Sequence, residues 1–350
     1  MTIILVDSDK KLNSLLSQIE EFSQIGLDTE FIRESTYRPI LALIQISLPN
    51  DEIYLIDPKE IKDKSGLSKM LSDGRIMKII HSAKQDLEAL YSYTDNFLCN
   101  IFDTQIAFNF LSEKSNVAYS ALVKNICNVD IKEGSWRTDW LKRPLTIEKK
   151  EYAANDVRFL IKIKEALEEK LKSIGRYSWF EEEQNNELKM SNIIIKPNDA
   201  WEKINYPLYF NSENLNLLKS VASWREMLSI KHDIPKRWIF SDSLLIKILT
   251  APEYKTTEII ENMKQKITED EKKELYNILS HKKKIKNKNL SPKKDIEQKC
   301  TEVLSYVSDE FKIDSTVIAN KRDLEIFTLS SSKARFMRGW RYQIFGKLVQ

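Results

Sequence analysis

Four short apolar runs within the first 81 residues limit what this chain can fold into. Residues 24–31, 41–48, 52–57 and 75–81 each have the length and composition of a β-strand, and turn formers lie between them. Helical patterns follow near residues 83–91 and from Asp103 or Thr104 through Leu111. Three successive strands followed by alternating helix and strand predict an α/β domain with a mixed sheet.

A long helix is predicted from about Thr146 to Ser173. Thr146 is a suitable N-cap with Pro144 just upstream, and apolar residues recur at helical spacing, namely Ala153, Val157, Leu160, Leu167 and Leu171. After residue 175 strand character nearly vanishes. From Trp201 onward the pattern indicates short helices interrupted at three prolines, Pro207, Pro235 and Pro252.

Residues 282–294 contain seven lysines and no acidic residue, which predicts a solvated linker ahead of a last helical segment. A chain of 350 residues is long enough for two or three domains. We therefore predict three domains, at residues 1–175, 205–285 and 295–350.

Charge is uneven along the chain. Residues 1–200 hold 27 Lys and Arg against 32 Asp and Glu, whereas residues 201–350 hold 28 against 20. This asymmetry suggests that chemistry and substrate grip are divided between domains, although an uneven charge without any partner is an equal alternative. The absence of an 18-residue apolar run and of a secretory signal predicts a cytoplasmic protein with no membrane partner. The three scattered cysteines fit neither a disulfide framework nor a zinc site.

Acidic residues provide the first candidate site. Phosphodiester hydrolysis with two divalent cations needs several carboxylates that converge from different segments. Asp28 and Glu30 end a predicted strand, where alternation places residues i and i+2 on one face. The pattern alone is weak, because Asp-x-Glu recurs at residues 86, 295 and 323. A histidine site is nearly excluded, since the chain has three histidines, His81, His232 and His281.

Two helical positions complete the candidate set. Asp86 lies in the first turn of a helix that follows an apolar strand, where a carboxylate is favoured, although most such residues only cap or face solvent. Tyr152 and Asp156 are spaced i, i+4 and so share one helix face. Asp156 could bind metal while the Tyr152 hydroxyl holds the attacking water. Tyr91 and Asp95 have the same spacing, so order and setting must identify the site.

In that order and setting, the residues resemble the DEDD superfamily of 3′→5′ exonucleases, in the subgroup with tyrosine in the third motif, and within it the bacterial ribonuclease D family. The matching segments are Gly26 to Phe31, Leu41 to Ile46, His81 to Leu90, Ile101 to Ala107 and Thr138 to Asp156. The sister subgroup would carry a histidine five residues before Asp156, where this sequence has Glu151.

The resemblance extends over essentially the whole chain. Residues 217–249 resemble an HRDC helical domain, with matching residues at Trp224, Arg225, Glu226, Asp233, Pro235, Arg237, Asp242 and Leu245. The last segment resembles a second, weaker HRDC-like domain. The resemblance thus implies an RNase H-like, mixed-sheet exonuclease domain followed by all-α HRDC-type domains.

The resemblance also implies chemistry and partners. Asp28, Glu30 and Asp156 would hold one of two Mg²⁺ or Mn²⁺ ions, Asp28 would bridge to the second, and Asp86 would support that ion. RNA would be shortened to nucleoside 5′-monophosphates, with tRNA precursors the typical substrate. Phe31, Trp140 and Arg143 would contact the substrate, although a buried Phe31, a core Trp140 and a helix-end Arg143 are alternatives. A monomer is the default expectation.

Two other functions stay open at this point. The chain could be a non-catalytic RNA-binding protein on a degenerate nuclease scaffold, but all four acids and the tyrosine are present. The substrate could instead be DNA, because backbone electrostatics are the same for both polymers. Lys236, Arg237 and the lysines of residues 282–294 could contact phosphates or simply face solvent.

Overall fold

A computed structural model describes residues 2–131, 139–261, 267–280 and 294–350. Packing divides the chain into two units. The first comprises the described parts of Met1–Ile32, Pro39–Ile193 and Pro292–Gln350, and the second comprises those of Arg33–Arg38 and Ile194–Ser291. The predicted lysine-rich linker lies almost wholly outside the described residues. None of the described helices is both long and apolar enough to cross a membrane.

The first unit is built on a six-stranded mixed sheet with the order β1-β4-β3-β2-β5-β6. Its strands are β1 (Thr2–Val6), β2 (Gln24–Ile32), β3 (Ile40–Ser47), β4 (Glu52–Ile56), β5 (Met77–Ile80) and β6 (Ile101–Asp103). The pairs β2–β3 and β3–β4 are antiparallel, whereas β1–β4, β2–β5 and β5–β6 are parallel. The predicted mixed sheet is confirmed.

The structure corrects the predicted position of the first acidic pair. β2 continues to Ile32, so Asp28 and Glu30 lie within the strand rather than at its end. The strand is extended because its antiparallel pairing with β3 continues past both residues, whereas its parallel pairing with β5 stops at Gly26. Along the β5 side, the two acids therefore lie beyond the last paired residue.

Helices surround this sheet and continue through the rest of the first unit. They are α1 (Asp9–Ile19), α2 (Ser65–Leu71), α3 (Lys84–Thr94), α4 (Thr104–Asn109), α5 (Tyr119–Cys127), α6 (Ile147–Arg158), α7 (Leu160–Ser173), α8 (Tyr177–Glu187) and α9 (Met190–Ile193). Helices of the second unit are α10 (Ser212–His232), α11 (Lys236–Ile239), α12 (Asp242–Thr250), α13 (Glu253–Glu261) and α14 (Glu269–Leu279). The first unit then resumes with α15 (Lys294–Phe311), α16 (Ser315–Ile318), α17 (Lys321–Leu329), α18 (Gly339–Arg341) and α19 (Lys347–Val349).

Short non-α turns accompany these helices. Residues Pro197–Lys203, Ser331–Lys333 and Arg335–Met337 are 3₁₀-helical, and Tyr342–Gly346 is π-helical. No strand follows β6 in the described residues, which confirms the predicted loss of strand character after residue 175.

The predicted long helix from Thr146 to Ser173 is wrong in one respect, because it is interrupted at Phe159 between α6 and α7. Two side chains insert at the interruption. The Ser47 hydroxyl donates to the Val157 carbonyl at 2.8 Å, and the Phe159 amide donates to the Tyr119 hydroxyl at 3.2 Å. These bonds satisfy backbone groups that a continuous helix would pair internally. At the start of α6 the prediction is confirmed, since the Thr146 hydroxyl accepts from the Lys149 amide at 3.3 Å.

A glycine allows the helix interruption to approach the sheet. A Cβ placed on Gly26 of β2 would lie 2.2 Å from the Ser47 hydroxyl oxygen and 3.2 Å from the Val157 carbonyl oxygen. Any larger residue would displace the Ser47 hydroxyl and crowd the end of α6. The interruption after Asp156 is therefore set by contacts from β2, β3 and α5 together.

A large hydrophobic core of the first unit joins its sheet to helices and to the C-terminal segment. It contains sheet residues such as Ile79 and Phe102, α6 and α7 residues such as Val157 and Leu160, and C-terminal residues such as Trp340. The second unit has a separate core around α10, in which Trp224 stacks on Phe240 with ring centroids 6.0 Å apart. Its buried Arg225 donates to the Phe240 carbonyl at 2.9 Å and to Asp242 at 2.6 Å. The domain boundaries expected from the sequence remain predictions.

Candidate active site

The first two acids are placed by strand β2. Asp28 and Glu30 alternate to the same face, as i and i+2 residues of a strand do. Both side chains are half-buried, and Thr29 between them is 6% exposed and points the other way. Because β5 ends at Ile80 and leads into α3, the first turn of α3 is brought to the end of the β2–β5 ladder.

Asp86 lies in this first turn of α3 and is 6% exposed. The Thr29 hydroxyl donates a hydrogen bond to the Asp86 carboxylate. Thr29 therefore joins the second acidic motif to the first, since it lies between Asp28 and Glu30 in β2. Sequence reasoning missed this role. A buried β-branched residue in a strand gives no signal of a hydroxyl contact to a helix elsewhere in the chain.

The third acidic motif lies on α6. Tyr152 and Asp156 are one turn apart on this helix, and both side chains are half-buried. Ala153, Ala154 and Val157 are the buried residues that fix α6 against the sheet. The Tyr152 ring packs near Trp140, with centroids 5.9 Å apart. The helix thus presents the phenol and the carboxylate at the edge of the core rather than within it.

The four carboxyl groups lie close enough for their charges to interact. Burial, followed by the charges of Asp86, Asp156 and Glu30, raises the pKa of Asp28 well above its ordinary value. Burial and the charges of Asp156 and Asp86 raise the pKa of Glu30 to about 9. Each of these carboxyl groups is destabilised as an anion by the others, in addition to the cost of desolvation. The acids from β2, α3 and α6 thus form one electrostatic cluster.

The other two members show the same direction. Burial raises the pKa of Asp86 to about 7 despite the hydrogen bond from Thr29, and burial with the charge of Asp86 raises the pKa of Asp156 to about 7. Carboxyl groups that interact this strongly titrate together, so a proton is bound by the cluster as a whole rather than by one fixed residue. At neutral pH the cluster would therefore retain protons unless positive charge were added.

The described side chains do not pair a positive charge with these acids. Within the described ranges, no lysine, arginine or histidine forms an ion pair with Asp28, Glu30, Asp86 or Asp156. No three acidic, histidine or cysteine side chains of those ranges stand in an arrangement that would hold a metal ion as it is. The donor set still fits a hard divalent cation, because it consists of carboxylate oxygens that repel one another and remain partly accessible.

The three residues expected to contact substrate are placed differently from one another. Trp140 is 2% exposed and packs in the core, and its indole nitrogen has no hydrogen-bond partner among the described residues. The Arg143 guanidinium pairs with Asp57 and donates to the carbonyls of Ala42 at 2.8 Å and Trp140 at 2.7 Å. Phe31 is half-buried in β2 beside a register shift in the β2–β3 ladder. Their positions favour packing for Trp140 and anchoring for Arg143.

Arg143 has a specific anchoring target. The register shift leaves Ala42 of β3 without a partner in β2, since Glu30 pairs with Leu43 and Phe31 pairs with Leu41. The Ala42 carbonyl is one of the acceptors of Arg143. The arginine therefore ties the segment that precedes α6 to the bulge next to Glu30.

His81 and the second Tyr-x-x-x-Asp pattern, at Tyr91 and Asp95, both have structural roles. The two ring nitrogens of His81 lie 2.9 Å from the Thr104 hydroxyl and 3.0 Å from the Val117 carbonyl, so both are engaged in hydrogen bonds. Asp95, the partner of Tyr91 in the second Tyr-x-x-x-Asp pattern, ends α3 in a left-handed conformation with φ 54°. The pair therefore does not occupy a continuous helix face as Tyr152 and Asp156 do.

Tyr119 is a further neighbour of the acids that sequence reasoning missed. Its pKa is raised well above 10 by burial and by the carboxyl groups of Asp156 and Asp28. Its hydroxyl accepts from the Phe159 amide, three residues beyond Asp156. A tyrosine at the start of α5 has no sequence signal that connects it to α6, because the contact depends on tertiary packing.

Comparison with known proteins agrees with this geometry. A 3′–5′ exonuclease family model matches residues 3–172, which include all four acids and Tyr152. Ribonuclease D of Desulfotalea psychrophila is 30% identical over 366 aligned positions, covering 99% of this chain and 97% of that relative. Ribonuclease D of Sphingobium indicum is 34% identical over 250 positions, covering 71% of this chain and 64% of that relative.

Solved structures share the fold. The crystal structure of Escherichia coli RNase D, an exoribonuclease involved in structured RNA processing, superposes with a TM-score of 0.81 at 24% identity and covers 100% of this chain and 98% of its own. The catalytic core of RRP6 from Trypanosoma brucei superposes with a TM-score of 0.53 at 19% identity, covering 80% and 78%. The expected α/β fold with C-terminal helical segments is thereby confirmed. The extent and identity of the sequence match establish that the chain belongs to the ribonuclease D family of 3′–5′ exoribonucleases.

Proposed function

We propose that this exoribonuclease removes nucleotides from RNA 3′ ends at the cluster of Asp28, Glu30, Asp86 and Asp156, with two divalent cations, and releases nucleoside 5′-monophosphates. One observation carries the proposal. Burial raises the pKa of all four carboxyl groups from β2, α3 and α6, the charges of other members raise it further at Asp28, Glu30 and Asp156, and no cationic side chain of the described residues pairs with them. Divalent cations would relieve this repulsion and keep all four groups ionised at neutral pH.

The residues divide the work by position. Asp28, Glu30 and Asp156 would hold one cation, Asp28 would bridge to the other, and Asp86 would support that second ion. When bound, Mg²⁺ or Mn²⁺ supplies charge neutralisation at the phosphate, an activated water and stabilisation of the leaving oxygen. Tyr152, one helical turn before Asp156, orients the attacking water with its hydroxyl. Thr29 holds the Asp86 carboxylate by its hydrogen bond.

Substrate contacts are proposed as follows. Phe31 lies next to Glu30 in sequence and offers a ring on which the terminal base can stack, as aromatic side chains do for single strands. Arg143 and Trp140 support the site indirectly, since the first anchors the loop before α6 and the second packs beside Tyr152. Precursors of tRNA are the proposed substrates. The enzyme is proposed to act as a cytoplasmic monomer, with HRDC-type domains at 205–285 and 295–350 after the exonuclease domain at 1–175.

Hydrolysis of defined oligonucleotides tests this function. An RNA with a free 3′ hydroxyl is incubated with Mn²⁺ or Mg²⁺, with and without EDTA, and the products are identified by chromatography. We expect stepwise release of nucleoside 5′-monophosphates that EDTA stops, and no release from the same RNA with a 3′ phosphate. Metal-independent hydrolysis, or cleavage that begins inside the chain, would contradict the proposal.

The tyrosine has a built-in matched control. Tyr152→Phe removes only the hydroxyl and should lower kcat by about 10–100-fold, because water positioning is one contribution among several. Tyr91→Phe alters the other Tyr-x-x-x-Asp pattern and should leave kcat unchanged. Equal activity of Tyr152→Phe and the wild type would remove the tyrosine from the mechanism.

Substrate choice is tested separately. A DNA oligonucleotide of matched sequence and a tRNA precursor with a 3′ extension are compared with the unstructured RNA by kcat/KM. We expect RNA to be preferred over DNA and the precursor to be trimmed to its structured end. Preferential hydrolysis of DNA would retain the metal chemistry but change the substrate class.

A further inference from the structure

Asp103 is a buried carboxylate that joins two helix starts. Its side chain caps α4, accepting from the amides of Gln105 at 2.8 Å and Ile106 at 3.2 Å. Its residue is 2% exposed. The same carboxylate also accepts from the amides of Ser82 at 3.1 Å and Ala83 at 2.8 Å, in the segment that leads from β5 into α3. The first pair of bonds is an ordinary N-cap, whereas the second pair reaches a different part of the chain.

The segment that Asp103 reaches needs an acceptor from outside. Ala83 is the N-cap residue of α3, and its side chain carries no hydrogen-bonding atom with which to cap the helix. Ser82 before it has a left-handed backbone with φ 62°, which costs energy for a residue other than glycine. Asp103 accepts from the N–H of Ala83 itself rather than from the amides that an N-cap side chain would serve, and its bond from the Ser82 amide holds Ser82 in its unfavourable conformation.

Asp103 is itself held firmly at the edge of the sheet. β6 is the last strand, so one side of it has no neighbouring strand. The Gln184 side chain occupies this edge, accepting from the Asp103 amide at 2.6 Å and donating to the Ile101 carbonyl at 2.8 Å. The carboxylate thus projects from a fixed backbone towards the start of α3.

We propose that Asp103 is a positioning residue for the exonuclease reaction, and that its carboxylate fixes the first turn of α3 and thereby the place of Asp86 relative to Asp28, Glu30 and Asp156. The inference rests on the proposed metal-binding role of these four acids. Asp86 is three residues beyond Ala83, so a rotation at the helix start moves its carboxylate directly. Thr29 restrains Asp86 from the β2 side, and Asp103 restrains it from the helix side.

The substitution Asp103→Ser isolates this function. Serine is among the best N-cap residues and retains the cap of α4, but it is too short to reach Ser82 and Ala83. Asp103→Asn provides a second variant, because its oxygen can retain the bonds to Ser82, Gln105 and Ile106 while its amide group faces the Ala83 N–H. The structure offers Asp314→Asn as a matched control. Asp314 caps Thr316 at 2.8 Å and also holds the distant Ser115 amide at 3.1 Å.

Mn²⁺ binding to the full-length protein is measured by calorimetry, and kcat, KM for RNA and the Mn²⁺ concentration for half-maximal rate are measured in parallel. We expect Asp103→Ser to weaken Mn²⁺ binding by about 10–100-fold, as loss of an outer-shell partner typically does. At low Mn²⁺ kcat should fall while KM stays unchanged, and high Mn²⁺ should restore most of the rate. Asp103→Asn should lie between Asp103→Ser and the wild type.

The outcomes separate the possible explanations. Asp314→Asn should lower the melting temperature and leave the Mn²⁺ requirement unchanged. If the Asp103 variants behave in the same way, losing stability but binding Mn²⁺ like the wild type, Asp103 is structural only and the inference is overturned. If the wild type itself hydrolyses RNA without Mn²⁺ or Mg²⁺, the proposed function of the four acids fails instead.

Discussion

Asp86 and Glu183 are both nearly buried carboxylates of the first unit, 6% and 8% exposed, yet their surroundings are opposite in charge. Glu183 on α8 receives Arg341 through two hydrogen bonds, one of them 2.6 Å long, and the Trp340 indole N–H at 3.3 Å. Asp86 receives the hydroxyl of Thr29 and faces other acids. Among the described residues, Glu183 is paired with a cation and Asp86 is not.

Their pKa values follow this difference. Burial alone raises the pKa of Glu183, but the hydrogen bonds and charge of Arg341 outweigh it and leave the pKa below its usual value. Burial raises the pKa of Asp86 to about 7, and the Thr29 hydrogen bond does not outweigh it. The protein can neutralise a buried acid where stability requires it. The cluster has no such pairing within the described residues, which is what the proposed binding of divalent cations there would require.

The largest expected effect separates activity from stability at the cluster. Asp28→Asn should lower exonuclease activity by on the order of 10²–10³-fold or more, since the proposed metal site would lose one charged ligand. The same change should not lower the melting temperature of the metal-free protein, because it removes one of four repelling carboxyl groups. Activity on the RNA oligonucleotide and thermal unfolding in EDTA measure the two effects.

Asp95→Asn is the control for that experiment. Asp95 is exposed, and asparagine tolerates the left-handed conformation at the end of α3. Activity and stability should both stay at the wild-type level. Destabilised Asp28→Asn protein would show instead that the Asp28 carboxylate is compensated by some contact, and would end the contrast with Glu183.

The next largest effect is expected on the free energy of unfolding, at Glu183, the buried carboxylate that pairs with Arg341. Arg341→Met leaves Glu183 buried without its main partner and should cost about 3–5 kcal/mol of unfolding free energy. Adding Glu183→Leu should recover part of the loss, because replacing a whole buried pair by apolar groups is often nearly neutral. Denaturant unfolding measures both variants. A single variant as stable as the wild type would mean that Glu183 does not depend on Arg341.

A smaller effect is expected in the pH dependence of the metal-free protein. The pKa of Glu30 is raised from 4.5 to about 9. Its stabilising contribution is therefore present below pH 4.5 and is lost as the pH rises towards 9. Glu30→Gln does not titrate, so at pH 9 in EDTA it should melt higher than the wild type by about 2–4 °C, corresponding to ~1 kcal/mol.

At pH 4.5 the melting temperatures of Glu30→Gln and the wild type should differ little. At pH 8 with saturating Mn²⁺ the wild type should melt higher than Glu30→Gln, because binding of the ion stabilises the wild type. Thermal scans at three pH values, each with EDTA or Mn²⁺, provide the comparison. An equal melting temperature at every pH would show that Glu30 titrates normally.

Local structure distinguishes the Asp-x-Glu pair at Asp28 from the other copies of this pattern in the sequence. Of the four Asp-x-Glu pairs, the one at Asp28 lies in a strand, whereas those at residues 86, 295 and 323 lie in helices. Alternation directs i and i+2 side chains to one face in a strand but not in a helix. The hydrophobic runs predicted β2 to β5 for the same local reason.

Contacts between distant segments could not be predicted in this way. The interruption at Phe159 depends on Ser47 and Tyr119, which belong to a strand and a helix far away in the sequence. The four bonds of Asp103 include two to residues about twenty positions earlier. The family resemblance suggested Arg143 as a substrate-binding residue. In the structure, however, its guanidinium donates to Asp57 and to backbone carbonyls. Each case depends on tertiary packing rather than on pattern.

The smallest effect extends the contrast to the second unit. Glu271 on α14 is 3% exposed, and it accepts from Lys231 at 2.7 Å, while a ring nitrogen of His232 lies 2.8 Å away. Burial raises its pKa, but the hydrogen bonds from Lys231, the Thr268 amide and His232 lower it to about 2. A depressed pKa contributes stability above pH 4.5 that is lost as the pH falls towards 2, the opposite sign from Glu30.

Glu271→Gln should therefore lower the stability of α14 by about 1 kcal/mol at pH 7, a modest figure because Lys231 is largely exposed to solvent. Near pH 2 the variant and the wild type should be equally stable. Hydrogen exchange of the α14 amides measures the local effect, and Glu269→Gln on the same helix turn, where the side chain is 78% exposed, is the control. A Glu271→Gln effect that grew in acid would mean that this carboxylate, like those of the cluster, is uncompensated, and the distinction between the two kinds of buried acid would fail.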